Sequence, residues 1–274
     1  MTLLSMNQLT TYRWSFEEDL HHYSRAGYQG VGVWLRKLYD FGVERAAELV
    51  EESGLKVSNV VWAGGFTGSD GAPSADNLAA ATRALEAAQA IRAGCLVVYT
   101  GGRNSHTTRH ADRLLRSALD KLLPVAEATG VPLALEPMHP ACAAEWTFLT
   151  SLEATAEIVQ SYDTRSLQMV YDTYHFPPQS LADGLLEWIA PMLSVVHLGD
   201  YAQPHDLDQD RCSLGAGQAE LIGLVPTLRE AGYNGFFDVE LLGAEIEAAD
   251  YQRLISDSRR AVLSLQSLAL SEAS

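Results

Sequence analysis

Val131-Pro132-Leu133-Ala134-Leu135-Glu136 is a short, largely apolar run that ends on a carboxylate. The same pattern recurs three times further along the chain, in Leu167–Tyr171 before Asp172, in Leu193–Val196 before His197, and in Phe236–Val239 before Glu240. A short apolar run of this kind indicates a strand buried on both faces, as in a parallel sheet. Because a charged side chain at the end of a buried strand costs stability, four of them indicate one shared functional site.

Strand-like runs alternate with Ala- and Leu-rich amphipathic stretches along the whole chain. The predicted strands lie near residues 3–8, 30–34, 56–61, 95–100, 131–136, 167–172, 194–199 and 235–240. The predicted helices lie near residues 16–26, 41–53, 76–92, 108–129, 150–160, 181–190, 218–231 and 248–268. Four glycines are expected to end helices in the left-handed conformation, namely Gly54, Gly94, Gly130 and Gly232. Eight βα units predict a single (β/α)8 TIM barrel domain over residues 1–274.

A doubly wound parallel sheet is the alternative architecture for an alternating βα chain. Such sheets carry a glycine-rich phosphate-binding turn between a strand and the helix that follows it. The nearest match here, Leu214-Gly215-Ala216-Gly217, lacks both the preceding strand and the third glycine. The sequence therefore favours the barrel, with neither a linker nor a second domain.

The chain of 274 residues has a formal net charge of −16, from 35 acidic and 19 basic residues. Such a surface repels phosphate backbones and anionic lipids, so we expect neither a nucleic acid nor a membrane as partner. No apolar stretch approaches the roughly 20 residues of a membrane-spanning helix, and the N-terminus does not resemble a secretion signal. Three widely spaced cysteines fit a reducing compartment, so a cytoplasmic protein is expected. The apolar face of residues 79–93 is compatible with a homo-oligomer.

In a (β/α)8 barrel the C-terminal ends of the strands meet at one face, where active sites are built. Glu136, Asp172, His197 and Glu240 would end strands 5 to 8, which are consecutive neighbours. Three carboxylates that close together would raise one another's pKa values unless a cation shares the site. Oxygen-rich ligands with one imidazole suit Mn²⁺, Mg²⁺ or Co²⁺, and Zn²⁺ also accepts them. We therefore expect these four residues to bind one divalent metal ion, with Mn²⁺ as the first choice.

The segments around these four residues resemble those of a known family, the sugar phosphate isomerase/epimerase group of xylose isomerase-like barrels. Ketose 3-epimerases, hydroxypyruvate isomerase and inosose dehydratase belong to this group. The resemblance extends over nearly the whole chain, and the motifs that carry it are Leu135-Glu136-Pro137, Tyr171-Asp172-Thr173-Tyr174-His175, Val196-His197-Leu198-Gly199-Asp200 and Asp238-Val239-Glu240. These motifs are specific for the group and say little about the individual reaction.

The resemblance implies roles for residues within and beside these motifs. It identifies the same four residues as the metal ligands and makes His175 a contact of the substrate or of the ligands. In the loop after strand 7, Arg211 followed by residues 214–217 is similar to the family's arginine-then-glycine segment. This similarity implies that Arg211 contacts a substrate oxygen. The alternative for Arg211 is a solvated loop charge, because its loop is rich in aspartate.

The ligand set also defines the chemistry that we expect. A divalent ion bound to a ketone oxygen and the neighbouring hydroxyl is a Lewis acid that stabilises an enediolate. Removal of the proton needs a positioned carboxylate, and Glu136 and Glu240 enter from opposite sides of the predicted site. As an acid–base pair, these two residues predict a metal-dependent isomerase or epimerase of a hydroxy-ketone. A dehydratase or lyase of the inosose, 3-keto-sugar or dehydroshikimate type remains open, since it shares the deprotonation and then expels a hydroxyl with an acid such as His175.

Aromatic and polar side chains near the ends of the earlier strands are candidates for a sugar pocket. We predict substrate contacts for Trp34, Trp62 and His106, near the ends of strands 2 to 4, and for His139, three residues after Glu136. A tryptophan at a strand end also often packs in the core. After strands 7 and 8 a phosphate would need a nest or a cluster of basic groups, but the sequence offers Arg211 with mostly acidic neighbours, so an unphosphorylated sugar or cyclitol is expected.

Two other classes of protein can use this kind of barrel and are disfavoured. Endonucleases that cleave abasic DNA have a histidine-rich, multi-zinc site on a basic surface. This chain is acidic and carries only His175 and His197 in its ligand motifs. A barrel that only binds sugar has no need for two candidate bases, so the sequence predicts an enzyme.

Overall fold

The computed structural model describes residues 3–72 and 74–272, with side chains up to residue 264. Eight parallel strands form a closed barrel in which each strand pairs with its neighbours in sequence and the first pairs with the last. The strands are β1 (Leu3–Asn7), β2 (Gly30–Trp34), β3 (Lys56–Gly64), β4 (Leu96–Tyr99), β5 (Leu133–Leu135), β6 (Leu167–Asp172), β7 (Leu193–Leu198) and β8 (Phe236–Val239). The predicted (β/α)8 TIM barrel is thereby confirmed.

Helices surround the barrel. In the described chain they are α1 (Phe16–Ala26), α2 (Leu35–Phe41), α3 (Val43–Ser53), α4 (Ser74–Ala90), α5 (Thr108–Thr129), α6 (Leu152–Ser161), α7 (Leu185–Ile189), α8 (Leu224–Glu230), α9 (Ala244–Ala248) and α10 (Tyr251–Glu272). Short 3₁₀ turns lie at Pro178–Ser180 and Ala190–Met192. None of the helices described is both long and apolar enough to cross a lipid bilayer.

The barrel has an outer and an inner apolar core, because successive side chains of a strand point to opposite faces. The outer core lies between strands and helices and includes Leu20, Val98 and Leu115. The inner core is a small cluster on the barrel axis, made of Leu9, Val61, Cys95, Val97, Ala134, Val170 and Val195. Ala134, Val170 and Val195 are each followed two positions later by a residue of the predicted site, namely Glu136, Asp172 and His197. The same alternation directs these three side chains into the barrel.

Several predicted helices differ in extent from the observed ones. Gly42 interrupts the predicted helix 41–53, so that α2 ends before it and α3 follows it. The predicted helix 181–190 begins only after Gly184. The predicted helix 218–231 is reduced to α8, because the backbone N–H groups of Gly217 and Ala219 donate to the Asp200 carboxylate and hold this segment in a loop.

Three of the four glycines expected to end helices adopt the left-handed conformation. Gly54, Gly130 and Gly232 have φ values of 72°, 71° and 94°. The prediction for Gly94 is wrong, since Arg92 takes the left-handed conformation after α4, with a φ of 54°. A Cβ at Gly94 would lie 2.5 Å from the carbonyl oxygen of Ser58, so glycine is required there for close packing on β3.

A buried ion pair fixes the loop that follows β1. Lys37 Nζ lies 2.7 Å from Asp19 Oδ2 and donates to the carbonyl oxygen of Thr11 at 3.0 Å. The Thr11 hydroxyl donates to Asp19 Oδ1 at 2.6 Å. Burial raises the pKa of Asp19 to about 7, against the opposing effect of Lys37 and the hydrogen bonds. The pair therefore ties α1 and α2 to the β1 loop at the mouth of the barrel.

Replacing the cation of this pair, in Lys37→Met, should lower the free energy of unfolding by about 3–5 kcal/mol, because Asp19 stays buried without a counter-charge. The matched control, Arg45→Met, removes an ion pair with Glu17 whose side chains are 67% and 47% exposed. The control should change stability by less than about 1 kcal/mol. Urea unfolding followed by circular dichroism measures both changes, and equal losses would contradict the role given to the buried pair.

Candidate metal centre

The four acidic and histidine residues of the strand ends lie together at the C-terminal mouth of the barrel. Asp172 is the last residue of β6 and pairs in register with His197 of β7, while Glu136 and Glu240 directly follow β5 and β8. All four side chains are buried, with at most 2% of each residue exposed. The structure thus brings together the whole set that the sequence predicted to meet.

His197 stands between two of the carboxylates. Its Nδ1 lies 3.1 Å from Glu136 Oε1 and 3.0 Å from Glu240 Oε2. Ligand atoms of Glu136, Asp172 and His197 all lie within 4.8 Å of one another, which is close enough for one cation to contact all three. Glu240 is not one of these three residues, but it contacts the group through its short distance to His197.

Arg211 enters the same cluster from the loop after β7. Its Nη2 lies 2.9 Å from Asp172 Oδ2 and 3.2 Å from Glu240 Oε1, and its Nη1 donates to the carbonyl oxygen of Glu240 at 2.8 Å. The Tyr174 ring lies 4.7 Å from the guanidinium carbon. Arg211 is therefore a buried part of the centre, and the alternative of a solvated loop charge is wrong.

The Arg211 loop is held in place by Asp200. The Asp200 carboxylate accepts hydrogen bonds of 2.8–3.0 Å from four backbone N–H groups, those of Tyr201, Gly215, Gly217 and Ala219. The backbone N–H of Cys212 also donates to the carbonyl oxygen of Asp200. Because so many N–H groups of this loop donate to one side chain, the conformation of the loop is restricted. Arg211 is therefore held at a fixed position.

Burial and mutual charge shift the pKa values of the centre. Burial raises the pKa of Glu240 to about 7, although His197 and Arg211 act in the opposite direction. Burial also works against the charged form of His197, but Glu240 and Glu136 outweigh it and raise the imidazole pKa to about 10. The Asp172 pKa is lowered despite its burial, chiefly by Arg211. The protein alone thus supplies two cationic side chains for three carboxylates, and a further cation would relieve the remaining repulsion.

One buried atom of the cluster supports a ligand role. Within the described residues, Glu136 Oε2 has no hydrogen-bond partner. A buried polar atom without a partner costs stability unless something else binds to it or to its group. The donor set of carboxylate oxygens and one imidazole, closely spaced, fits a divalent metal ion.

A cavity of about 190 Å³ opens beside this cluster. Its lining residues are Trp62, Glu136, Met138, Trp146, His175, Leu207, Asp208, Gln209, Arg211, Glu240 and Leu242. Burial lowers the pKa of His175 to about 3, so its imidazole is neutral, and its Nδ1 has no partner among the described side chains and backbone. The predicted contacts His175, Arg211 and Trp62 therefore share one cavity with Glu136 and Glu240.

The structure does not bring the other three predicted contacts to this cavity. Trp34 lines a separate cavity of about 480 Å³ near Tyr12 and Trp14. His106 lies with its Nε2 3.2 Å from the carbonyl oxygen of Thr67. His139 stacks on His205, with ring centroids 4.2 Å apart, and its Nδ1 accepts from the backbone N–H of Ala141.

Several residues of the centre were not found by reading the sequence. Asp238 lies in the barrel interior below Glu240, and strand alternation could have indicated it, because residues 238 and 240 face the same way. Trp146 and Leu207 belong to loops that approach the cavity only in the folded chain. No local signal in the sequence identifies them.

Comparison with known proteins agrees with the fold and the motifs. The profile of the family described as xylose isomerase-like TIM barrel matches residues 20–261. An inosose isomerase of Bacillus velezensis is 28% identical over 132 residues, which are 46% of this chain and 45% of that protein. The match thus spans less than half the length of this relative.

Two solved structures share the fold over nearly their whole length. Protein SMc04130 of Sinorhizobium meliloti 1021 has a TM-score of 0.86 and 25% identity, with coverage of 96% of this chain and 98% of that one. The IOLI protein with a bound zinc atom has a TM-score of 0.82 and 20% identity, with coverage of 97% and 98%. Together with the profile match over most of the sequence, the closed eight-stranded architecture shows that the chain belongs to the xylose isomerase-like TIM barrel family.

Proposed function

We propose that the protein is a divalent-metal-dependent isomerase or epimerase that acts on a hydroxy-ketone of the sugar or cyclitol type. The observation that carries this proposal is the buried cluster of Glu136, Asp172, His197 and Glu240 beside a small cavity. The similarity to an inosose isomerase supports an isomerase, and a cyclic polyol ketone is the first substrate to test. The three cysteines are free, in keeping with the cytoplasmic location that we propose.

The four clustered residues would hold the metal ion, because ligand atoms of Glu136, Asp172 and His197 lie within 4.8 Å of one another and Glu240 lies 3.0 Å from His197. Manganese is our first choice, since oxygen ligands with a single imidazole suit it well. The zinc atom in the IOLI protein supports a divalent ion in a barrel of this fold. When bound, such an ion acts as a Lewis acid toward a ketone oxygen.

Glu136 and Glu240 would be the acid–base pair for proton transfer. Glu136 and Glu240 approach the His197 imidazole from β5 and β8, at 3.1 Å and 3.0 Å. For epimerisation, one carboxylate removes the proton from the carbon next to the carbonyl, and the other returns a proton to the opposite face. For aldose–ketose isomerisation, a single carboxylate moves the proton between neighbouring carbons. Either outcome starts with the same deprotonation.

The cavity indicates the kind of substrate. Trp62 and Trp146, with ring centroids 5.3 Å apart, offer apolar walls to the C–H groups of a polyol. The unpartnered Nδ1 of the neutral His175 can bind a hydroxyl group, within what the structure describes. The guanidinium of Arg211 is already bound to Asp172 and Glu240, and Asp208 also lines the cavity. A phosphate would therefore be poorly compensated, which favours an unphosphorylated sugar or cyclitol.

Metal binding is the first test. Isothermal titration of the metal-free protein with Mn²⁺ should show one site per chain, and Asp172→Asn should weaken it roughly 10-fold to 100-fold, because one charged ligand is lost. The exposed Glu52→Gln is the control with the same change in charge and should bind as the unmodified protein does. No binding in the unmodified protein, or equal affinity in all three proteins, would refute the metal site.

The acid–base roles are tested by turnover in D₂O with Mn²⁺ and an inosose or a ketose. The unmodified protein should introduce deuterium at the carbon next to the carbonyl without loss of water, as followed by mass spectrometry and NMR. Glu136→Gln and Glu240→Gln should each lower turnover by about 10²-fold to 10⁴-fold, because proton transfer loses its base or its acid. Unchanged turnover in both variants would contradict the pair, and loss of water from the substrate would assign the protein to the dehydratases.

A further inference from the structure

The loop after β7 contributes residues 205–210, called the strap below, to the surroundings of the cavity beside the centre. Leu207, Asp208 and Gln209 of the strap line this cavity together with residues of the centre. Leu207 is 60% exposed, whereas Glu136 and Glu240 are at most 2% exposed. The strap therefore forms the end of the cavity nearest to the solvent, and the carboxylates form its closed end.

The strap is anchored at both ends. His205 Nε2 is hydrogen-bonded to the carbonyl oxygen of Tyr174. At the other end, Asp210 Oδ1 accepts from the backbone N–H of Ala244 at 3.1 Å. Gly243 leaves the room for this carboxylate, since a Cβ there would lie 2.2 Å from the same oxygen. The positions of the residues between the two anchors are thereby restricted.

Gln209 of the strap has a backbone conformation that glutamine rarely adopts. Its φ is 55°, in the left-handed region, where a residue with a Cβ is strained. Glycine would adopt this conformation without steric cost. A strained residue that lines a ligand cavity indicates a function for its side chain. The glutamine amide offers both a donor and an acceptor to a hydroxyl group.

Trp62 supplies a second polar group from the opposite side of the mouth. It belongs to β3, which lies four strands away from β7 in the closed eight-stranded barrel. Its Nε1 is buried and has no hydrogen-bond partner among the described residues. Buried indole N–H groups usually have a partner. A ligand hydroxyl would be a suitable one, because Trp62 and Gln209 line the same cavity.

The volume and the charge of the cavity limit the kind of ligand. Its 190 Å³ correspond to roughly six water molecules of about 30 Å³ each, which is more room than a three-carbon hydroxy-ketone needs. Asp208 adds a carboxylate at the open end, which repels an anionic ligand such as a keto acid. When the ketone lies at the closed end, the hydroxyl groups remote from it lie toward the strap.

We propose that Gln209 and the indole N–H of Trp62 form a subsite for the hydroxyl groups remote from the ketone, and that Gln209 determines specificity there. The ligand is a neutral six-carbon polyhydroxy ketone, in preference to a three-carbon hydroxy-ketone or a keto acid. The inference rests on the proposed function, because it places the reacting ketone beside the carboxylates.

Gln209→Gly tests this subsite, because it removes the amide and suits the left-handed backbone. Turnover with Mn²⁺ in D₂O is measured on an inosose and on 2-hydroxycyclohexanone, which has the reacting hydroxy-ketone but no remote hydroxyl groups. The KM for the inosose should rise roughly 3-fold to 10-fold with little change in kcat, as expected for the loss of one hydrogen bond. The KM for 2-hydroxycyclohexanone should not change.

Asp163→Gly is the matched control. Asp163 also has a left-handed φ, of 46°, but it is exposed in the loop between α6 and β6. This variant should leave both KM values unchanged. Trp62→Phe removes the indole N–H but keeps an aromatic wall, so it should raise the KM for the inosose by a factor similar to that of Gln209→Gly.

A binding measurement adds a readout that does not depend on turnover. In saturation-transfer NMR, the non-reacting ring polyol myo-inositol should give a weaker signal with Gln209→Gly than with Asp163→Gly. Equal signals from these two variants, or an equal rise of KM for both ketones in Gln209→Gly, would overturn the subsite and leave the proposed function intact. Absence of turnover of the inosose and of D-fructose by the unmodified protein would overturn the proposed function and this inference with it.

Discussion

The barrel mouth is organised around the need to keep several buried carboxylates close together. Glu136, Asp172 and Glu240 have at most 2% of their surface exposed, so water screens their repulsion very little. The imidazole of His197 and the guanidinium of Arg211 together compensate the negative charge of these carboxylates. The free-energy cost of removing a charge from water is offset only by good ion-pair geometry and additional hydrogen bonds. The surrounding residues supply both.

The negative and positive groups of the centre come from different kinds of structure. Consecutive strands deliver the carboxylates and the imidazole, and their positions are fixed by the pairing of the barrel. The arginine comes from a long loop, which would be mobile if the Asp200 carboxylate did not bind four of its N–H groups. Asp200 does not line the cavity, but it holds the loop that carries the Arg211 charge into the centre.

The strands and their ends were predictable from the sequence, because they follow regular patterns of apolar residues. The residues that are placed by contacts between folded loops were not predictable. The strand ends at Glu136, Asp172, His197 and Glu240 follow from apolar runs and from the topology of a closed barrel. The wrong helix at 218–223 and the unpredicted Trp146 have a common cause, since both depend on contacts between segments far apart in the chain. Trp34 and Trp62 look alike as aromatic residues near predicted strand ends, yet of the two only Trp62 lines the cavity. Helix α2 begins directly after Trp34, whereas β3 continues past Trp62 to Gly64.

The seam between β1 and β8 has a consequence for how the protein matures. Thr10, just after β1, donates to the carbonyl oxygen of Val239 and accepts from the backbone N–H of Leu241, and Asn7 reaches Asp238 across the same seam. The surroundings of His197 are therefore completed only when β1 pairs with β8. In a half-open chain these carboxylates and the imidazole would lie apart, so the arrangement that we propose for the metal ion exists only in the closed barrel.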